Sequence, residues 1–459
     1  MWYNTSVFYQ IYPLGFCGAP RENDGILAPR IQKVSAWANY LVSLGVGAVY
    51  FSPVFSSDRH GYDTRNYGEI DCRLGTNADF AAVCDDLHAH GIRVVLDGVF
   101  NHVGRGFWAF QDVLANREQS PYRDWFYIDF GRDNGYGDGL WYEGWEGHFE
   151  LVKLNLRNPA VVEHLFYNIR EWVNQFGIDG LRLDVAYCLD RDFLRRLRTF
   201  CDALKPEFLL LGEALFGDYN QLVNHEMLHS CTNYECYKGI YSSLNELNFF
   251  EISYSLNRQF GPENWALYQE KHLLSFIDNH DVSRIASILK EKRHLPLAFA
   301  LLFGMPGIPC LYYGSEWGAQ GEKQAGDDAL RPCFDAPEPN ELTDWVKALS
   351  HLRTQSRALC EGGYRNVHVT NRQLVFERAV PGERVLAALN AEGAPYTAPI
   401  GAGDALDLLS GETVNLSAGL ALGPYEARFF AGFRMKSDRE QGGIKCVLCY
   451  SGFLMRASP

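Results

Sequence analysis

The sequence predicts an α/β protein, a (β/α)8 TIM barrel with a small inserted domain and a C-terminal antiparallel β-domain. Short apolar strands alternate with amphipathic helices over the first two-thirds of the 459-residue chain, the pattern of a parallel βα repeat. Eight candidate strands can be distinguished, the number that closes a barrel of this kind. After about residue 360 the pattern changes to alternating strands separated by turn signals.

The candidate barrel strands are apolar runs of strand length. They lie at 7–13, 46–54, 93–99, 180–186, 208–214, 228–234, 273–278 and 307–314, the sixth being the weakest. Helical patterns at 78–91, 160–177 and 191–205 carry apolar residues three or four positions apart. The first two of these end at glycine, a common helix C-cap.

One connection is too long to be an ordinary loop. Residues 104–150 are rich in Trp, Tyr, Gly and Asp, and a segment of this length is usually functional or forms a small subdomain. The sequence therefore predicts a barrel over 1–103 and 151–358, an inserted domain over 104–150 and a β-domain over 359–433. Residues 434–459 fit neither pattern and are predicted to be a poorly ordered tail.

Composition excludes several classes of function. The net charge of −14 argues against nucleic acid or an anionic membrane as partner. We predict no signal peptide, and no stretch approaches the ~18 apolar residues of a membrane span. The 12 cysteines are scattered, and the one close pair, Cys446 and Cys449, lacks the second pair of a zinc site. A reduced, cytoplasmic protein is predicted.

Three predicted strands each end at a carboxylate: Asp184, Glu213 and Asp281. The carboxyl ends of parallel barrel strands meet at one mouth, where active sites of this fold lie. A buried carboxylate is unfavourable unless it is paired or used in chemistry. Three such groups in order therefore predict an acid-rich active site.

The surroundings of two of these acids suggest different roles. Arg182 lies two positions before Asp184, on the same face of a strand, and is expected to lower the pKa of that carboxyl, as a nucleophile requires. A purely structural Arg–Asp pair is the alternative. Glu213 follows an apolar strand, where desolvation raises a carboxyl pKa and suits a general acid. Retaining glycosidases need two such groups about 5–5.5 Å apart.

Other polar residues lie at neighbouring strand ends. His102 is expected to reach into the cleft, although a structural histidine is the alternative, and His280 could donate to a sugar hydroxyl. Tyr62 is a candidate stacking platform. Asp97 is predicted to be internal and structural, and Glu316 receives no role.

Together these residues resemble the α-amylase family, glycoside hydrolase family 13, and within it the branch of neopullulanases, cyclomaltodextrinases and related intracellular α-glucosidases. The resemblance spans residues 7 to 430 and implies a barrel with a domain B after the third strand and an all-β domain C. The motifs that carry it are DGVFNH (97–102), GLRLDVA (180–186), GEA (212–214) and FIDNHD (276–281), with QIYP (10–13), HGYDTRNY (60–67), VKLN (152–155) and GIPCLYYG (307–314).

The resemblance also implies residue roles. Asp184 would be the nucleophile, Glu213 the acid/base and Asp281 a stabiliser of the transition state. The other residues that it places around the sugars are Tyr62, His102, Arg182 and His280, with Asp327 and Arg331 against the non-reducing sugar.

Two positions bear on metal binding and specificity. Secreted α-amylases hold calcium partly through an asparagine at the position of Asn101 and a histidine four residues after the nucleophile. Here the second position is Cys188, a poor ligand for a hard cation, so we expect neither calcium nor any other metal or cofactor. Val185, directly after the nucleophile, accompanies α-1,4 specificity in related α-glucosidases.

The leading hypothesis is a retaining α-glucoside hydrolase that cleaves α-1,4 bonds of malto-oligosaccharides or cyclodextrins. A 4-α-glucanotransferase acting through the same intermediate is the first alternative, which the sequence does not separate from hydrolysis. A non-catalytic glucan-binding protein is the second, and the three intact acids argue against it. The oligomeric state is left open.

Overall fold

The computed structural model describes residues 1–433, and a closed parallel barrel forms its centre. The strands are β1 (Val7–Ile11), β2 (Val46–Phe51), β3 (Arg93–Gly98), β4 (Gly180–Leu183), β5 (Leu209–Gly212), β6 (Ser230–Cys231), β7 (Leu274–Ser275) and β8 (Ile308–Tyr312). They follow one another in chain order around the sheet, and a parallel bridge between Thr232 and Leu274 closes it. The predicted barrel is confirmed.

The strands are shorter than the apolar runs suggested. β1 stops at Ile11 because Pro13 opens a short helix, Pro13–Phe16. β4 stops at Leu183, since Val185 adopts a left-handed conformation with φ 40°. β6 and β7 keep two residues each. Hydrophobicity thus located each strand but overestimated its length.

Helices alternate with the strands, and the three predicted helical patterns are confirmed as Asn77–Ala89, Pro159–Phe176 and Arg191–Leu204. No helix within residues 1–433 is long and apolar enough to cross a membrane. The other long helices are Lys33–Ser43, Tyr234–Asn245, Phe249–Phe260, Leu295–Gly304 and Glu341–Gln355, and the shorter ones are Trp2–Thr5, Pro13–Phe16, Trp108–Asn116, Ile285–Ile288 and Arg357–Glu361.

Apolar side chains fill the inside of the barrel. A cluster including Phe8, Tyr50, Val95, Leu209 and Leu211 is almost completely buried. Burying each side chain of this size contributes roughly 1.5–3 kcal/mol. Because the interior is packed, polar groups gather at the strand ends.

The segment after β3 forms its own antiparallel ladder. His102–Gly104 pairs with His148–Lys153, which also pairs with Gly144–Trp145. Ile128–Asp129 pairs with Trp141–Tyr142. A further hairpin after β2 joins Phe55–Ser57 to Thr64–Ile70 and carries Tyr62 in its connection.

The C-terminal region contains the expected antiparallel sheet. Its strands are Gly363–Val369, Gln373–Val380, Glu383–Asn390, Ala427–Ala431, Asp404–Asp407 and Thr413–Asn415, beside a pair formed by Tyr396–Ala398 and Leu420–Leu422. Residues 368–380 lie in two of these strands, because the chain turns where Thr370 N–H donates to the Gln373 carbonyl at 2.9 Å. The domain boundaries stay predictions. The tail 434–459, with Cys446 and Cys449, lies outside the described residues.

Candidate active site

Three buried carboxylates share one guanidinium at the mouth of the barrel. Arg182 Nη1 donates to Asp97 Oδ2 and to Asp184 Oδ1, both at 2.9 Å. Arg182 Nη2 lies 2.8 Å from Glu213 Oε1. All four residues are at most 5% exposed. The arrangement leaves two negative charges more than positive ones when every group is ionised.

The backbone brings the two central acids side by side. Asp184 and Glu213 are the first residues after β4 and β5, and Glu213 N–H donates to the Leu183 carbonyl at 2.9 Å. Val185 then takes a left-handed φ that β-branched residues rarely adopt. Its N–H donates to Glu213 Oε2 at 3.0 Å. Backbone strain of this kind is found where a site must hold a side chain in place.

Burial governs the protonation of both acids. It raises the pKa of Glu213 to about 7 against the opposing effect of Arg182, which confirms the predicted direction. Burial also raises the pKa of Asp184, although Arg182 lowers it. The expected lowering at Asp184 is therefore wrong, because the same guanidinium also serves Asp97 and Glu213 and cannot offset desolvation for all three.

Asp281 lies in a different electrostatic setting. Its Oδ2 lies 3.0 Å from His280 Nε2 and its Oδ1 lies 3.1 Å from Arg331 Nη2. Burial would raise its pKa, but these two neighbours lower it below the usual range. Asp281 is therefore an anion across the neutral pH range, with about a third of its side chain (36%) exposed to the cleft.

The ring of His280 is fixed on both faces and at its edge. It stacks on Tyr62 and Tyr12, with centroids 5.6 and 6.0 Å away. Gln10 Nε2, a donor, lies 2.7 Å from Nδ1, so the ring proton resides on Nε2 and faces Asp281. Burial lowers the pKa of His280 to about 3, so the ring is a neutral hydrogen-bond donor.

His102 presents a free donor beside the proposed nucleophile. Asn101 Nδ2 lies 3.1 Å from its Nδ1, which places the proton on Nε2. That atom is buried, lies 3.9 Å from Asp184 Oδ2 and has no hydrogen-bond partner among the described residues. Buried polar atoms are normally satisfied, so a ligand hydroxyl is the natural partner of this one.

Comparison with known proteins identifies the family. The family model described as alpha amylase, catalytic domain, matches residues 10–357. The chain belongs to the α-amylase family. Its resemblance to that family, inferred from the strand-end motifs, is thereby confirmed.

Several relatives indicate which members of the α-amylase family this chain is similar to. Neopullulanase 2 of Thermoactinomyces vulgaris is 32% identical over 93% of this chain and 77% of its own length. A cyclomaltodextrinase from a Bacillus species is 30% identical over 86% and 74%. The structure of the cyclic α-maltosyl-(1→6)-maltose hydrolase of Arthrobacter globiformis matches with a TM-score of 0.79 at 26% identity, covering 94% and 99%. The protein is a glycoside hydrolase of the α-amylase family that is similar to neopullulanases and cyclomaltodextrinases.

The structure brings the predicted site residues of this α-amylase family member to one cleft. Tyr62 Oη donates to Asp97 Oδ2 at 3.1 Å, and Arg331 Nη2 lies 3.3 Å from Asp327 Oδ2. The residues so assembled are Asp184, Glu213, Asp281, Tyr62, His102, Arg182, His280, Asp327 and Arg331.

Sequence reasoning missed three groups that hold this cleft. Gln10 orients His280, Tyr50 Oη donates to Asp97 Oδ2 at 3.2 Å, and Tyr12 lies under the Arg331 guanidinium with its ring centre 4.5 Å away. A glutamine inside the apolar run of β1 was the available signal. Glu316 is buried elsewhere, where it accepts hydrogen bonds from two tyrosines.

Within residues 1–433, no three His, Cys, Asp or Glu side chains are grouped as metal ligands would be. The Asn101 side-chain amide is engaged with His102, and the Cys188 thiol is only half-buried. The prediction that calcium is not bound stays a prediction.

Proposed function

We propose that this enzyme hydrolyses α-1,4 bonds of malto-oligosaccharides and cyclodextrins with retention of anomeric configuration. The observation that supports the proposal most strongly is that Arg182 forms ion pairs with both Asp184 and Glu213, which follow neighbouring strands. A retaining glycosidase needs such a pair close together, one as nucleophile and one as acid/base. The names of the relatives support the substrate class.

In the first step Glu213 protonates the glycosidic oxygen while Asp184 attacks the anomeric carbon. A pKa of about 7 leaves Glu213 mostly protonated below pH 7, as a general acid must be. Arg182 holds Asp184 Oδ1, which leaves Oδ2, the oxygen nearer His102, to form the bond. A β-glucosyl-enzyme results.

In the second step water attacks the same carbon. Glu213, now ionised, accepts a proton from that water, and the bond to Asp184 breaks to release the α-product. Asp281, an anion facing the cleft, stabilises the positive charge that develops on the sugar in both steps.

The remaining groups position the sugar. His102 presents a neutral N–H donor to its hydroxyls, His280 directs its N–H to Asp281, and Tyr62 offers a ring face. Arg331 and Asp327 stand beyond Asp281 and would meet the non-reducing end.

We further propose that no metal takes part in the reaction. We also propose that the enzyme works in the cytoplasm, which the ten unpaired cysteines of the described chain support.

The test is the product series from maltotriose and β-cyclodextrin, with the anomer followed by NMR as it forms. β-Cyclodextrin has no reducing end, so the first reducing end to appear is a new one, and we expect it in the α form, whereas an Asp184→Asn variant should form no product. A new reducing end that appears first in the β form would refute retention. Products longer than the substrate supplied would assign the enzyme to the transferases instead.

A further inference from the structure

Two arginines are buried where the barrel meets the C-terminal sheet. Arg353, on the helix Glu341–Gln355, and Arg378, on the strand Gln373–Val380, are each 1% exposed. Neither guanidinium forms an ion pair with a carboxylate in the described part of the chain. Their hydrogen bonds go to backbone carbonyls, which belong to Phe303, Met305 and Gly307 for Arg353 and to Gly304 and Gly362 for Arg378. A buried charge without a counter-charge is strongly unfavourable, so this pair needs an explanation.

The end of the helix Leu295–Gly304 offsets part of this charge. Arg353 Nη1 donates to the Phe303 carbonyl at 2.8 Å. Arg378 Nη1 donates to the Gly304 carbonyl at 3.0 Å. The C-terminal end of a helix carries only about half a negative charge, so more than one of the two positive charges stays unbalanced.

The neighbouring side chains do not supply the missing negative charge. Burial raises the pKa of the Cys360 thiol and of the Tyr364 hydroxyl against the opposing charge of Arg378, so both groups are neutral. Burial and the charge of Arg353 hold the pKa of Arg378 far below its ordinary value. The buried Arg353 Nε also has no hydrogen-bond partner among residues 1–433.

A cavity of about 250 Å³ opens beside Arg378, at the end of the barrel opposite the active site. Its walls come from the segments that precede β7 and β8 and from residues 361–364 of the C-terminal region. His272 lies in this wall, and burial together with the charges of Arg353 and Arg378 lowers its pKa to about 4. Both guanidinium charges therefore act at the cavity.

Arg378 has donors to spare for a ligand in this cavity. Its Nε, Nη1 and Nη2 each donate once, to the Gly304 and Gly362 carbonyls, which leaves two of its five N–H groups without a partner in the described chain. Lys271, whose ammonium donates to the Val223 carbonyl at 2.8 Å, adds a third cation to the wall.

We infer that this cavity binds a phosphate group, either free or carried by a small sugar. A phosphate monoester carries a charge of about −1.5 to −2 at pH 7, which matches the two guanidinium groups less the helix end. A guanidinium also presents its N–H groups in the geometry that phosphate oxygens accept. The inference concerns a second site and does not depend on the proposed function.

The size and rim of the cavity favour a sugar phosphate over the free anion. A water molecule occupies about 30 Å³ in the liquid, so a cavity of about 250 Å³ has room for more than one phosphate. Gln269, Glu270 and Glu361 lie at its exposed rim, where they offer partners for sugar hydroxyls.

Isothermal titration calorimetry of the full chain with glucose 6-phosphate and with inorganic phosphate, at constant ionic strength, tests the inference. We expect both to bind, and glucose 6-phosphate to bind about tenfold more tightly. Equal affinities would also support a phosphate site and would assign it to the free anion. No binding of either compound at about 10 mM would overturn the inference.

Two variants locate the binding in this cavity. Arg378→Met should weaken the binding of both compounds by about tenfold or more, because it removes the charge and the N–H donors. Gly363→Phe should do the same and serves if Arg378→Met does not fold, because Gly363 lines the cavity and a Cβ there meets nothing within 4 Å. Gly403, equally open in the same sheet region, supplies the control Gly403→Phe, which should bind as the wild type does. Unchanged affinity in the folded cavity variants would overturn the inference.

Discussion

β4 carries an aspartate at each end, and the two have opposite surroundings. Asp179, just before the strand, contacts His88 and Arg93 at 2.9 Å and Lys205 at 3.0 Å. Asp184, just after it, shares its one guanidinium with two other carboxylates. Before β4 one carboxylate contacts two cations and a histidine, and after β4 three carboxylates share one cation.

The carboxylates at the two ends of β4 therefore have different effects, one on the stability of the fold and the other on reactivity. Burial would raise the pKa of Asp179, but its partners lower it far below the usual range, so ionisation favours the folded state. At the mouth burial prevails and the pKa values of Asp184 and Glu213 rise. The mouth thus holds groups that the fold would be more stable without, as is expected of a catalytic centre.

The largest expected effect is loss of catalysis at the mouth. Asp184→Asn should lower kcat on maltotriose by about ten-thousand-fold or more, because no covalent intermediate can form. The free energy of unfolding should be unchanged or higher by about 1 kcal/mol, since one buried like charge is removed. Denaturant melts and single-turnover assays measure the two effects. Residual activity within tenfold of wild type would contradict the assignment.

The corresponding substitution at the other end of β4 should lower stability and leave catalysis nearly unchanged. Asp179→Asn should lower the free energy of unfolding by about 2–3 kcal/mol, because it removes the charge that pairs with Arg93 and Lys205. Activity per folded molecule should stay within about twofold at 25 °C, since the site lies at the other end of the barrel. A stable Asp179→Asn variant with impaired kcat/KM would contradict the claim that Asp179 serves stability and not catalysis.

Asp179 and the acids at the mouth of the barrel should affect the pH dependence of stability in opposite directions. The lowered pKa of Asp179 supplies stability that is present above about 4, the unfolded value, and is lost as pH falls towards the folded value. The raised pKa of Glu213 acts oppositely, and stability declines as pH rises from about 4 towards about 7. The kcat/KM should also fall above about pH 7 as Glu213 loses its proton. The same alkaline limb in the wild type with α-glucosyl fluoride, whose fluoride leaves without a proton from Glu213, would show that another group titrates.

The smallest expected effect concerns calcium. Millimolar Ca²⁺ or EDTA should shift the melting temperature by less than about 1 °C, because Cys188 is an unsuitable ligand at the position considered. Differential scanning fluorimetry measures this directly. A stabilisation of several degrees by Ca²⁺ would mean that other oxygen ligands assemble a site.

Local patterns predicted the barrel and the strand-end acids because both depend on neighbouring residues. Asp184 and Glu213 each follow an apolar run, and this signal spans fewer than ten positions. The partners of these acids depend on strand register, which the sequence does not display. Arg182 pairs in register with Asp97, 85 positions earlier, and burial together with the charge of Asp97 reversed the expected direction of the Asp184 pKa.

The same limit applies to the residues that orient the histidines. Gln10 and His280 are 270 positions apart and meet only because the closed barrel brings the end of β7, which precedes His280, within two strands of β1. The left-handed backbone at Val185, which aims an N–H at Glu213, arises from packing around the strand ends and has no sequence signal of its own.

The most direct test of the central claim is to trap the covalent intermediate. The enzyme would be incubated with 5-fluoro-α-D-glucosyl fluoride, digested and examined by mass spectrometry. We predict a single fluoroglucosyl adduct on Asp184, formed by the wild type and absent in Asp184→Asn. An adduct on another residue, or rapid turnover of the reagent with inverted product and no adduct, would contradict Asp184 as the nucleophile at the mouth of β4.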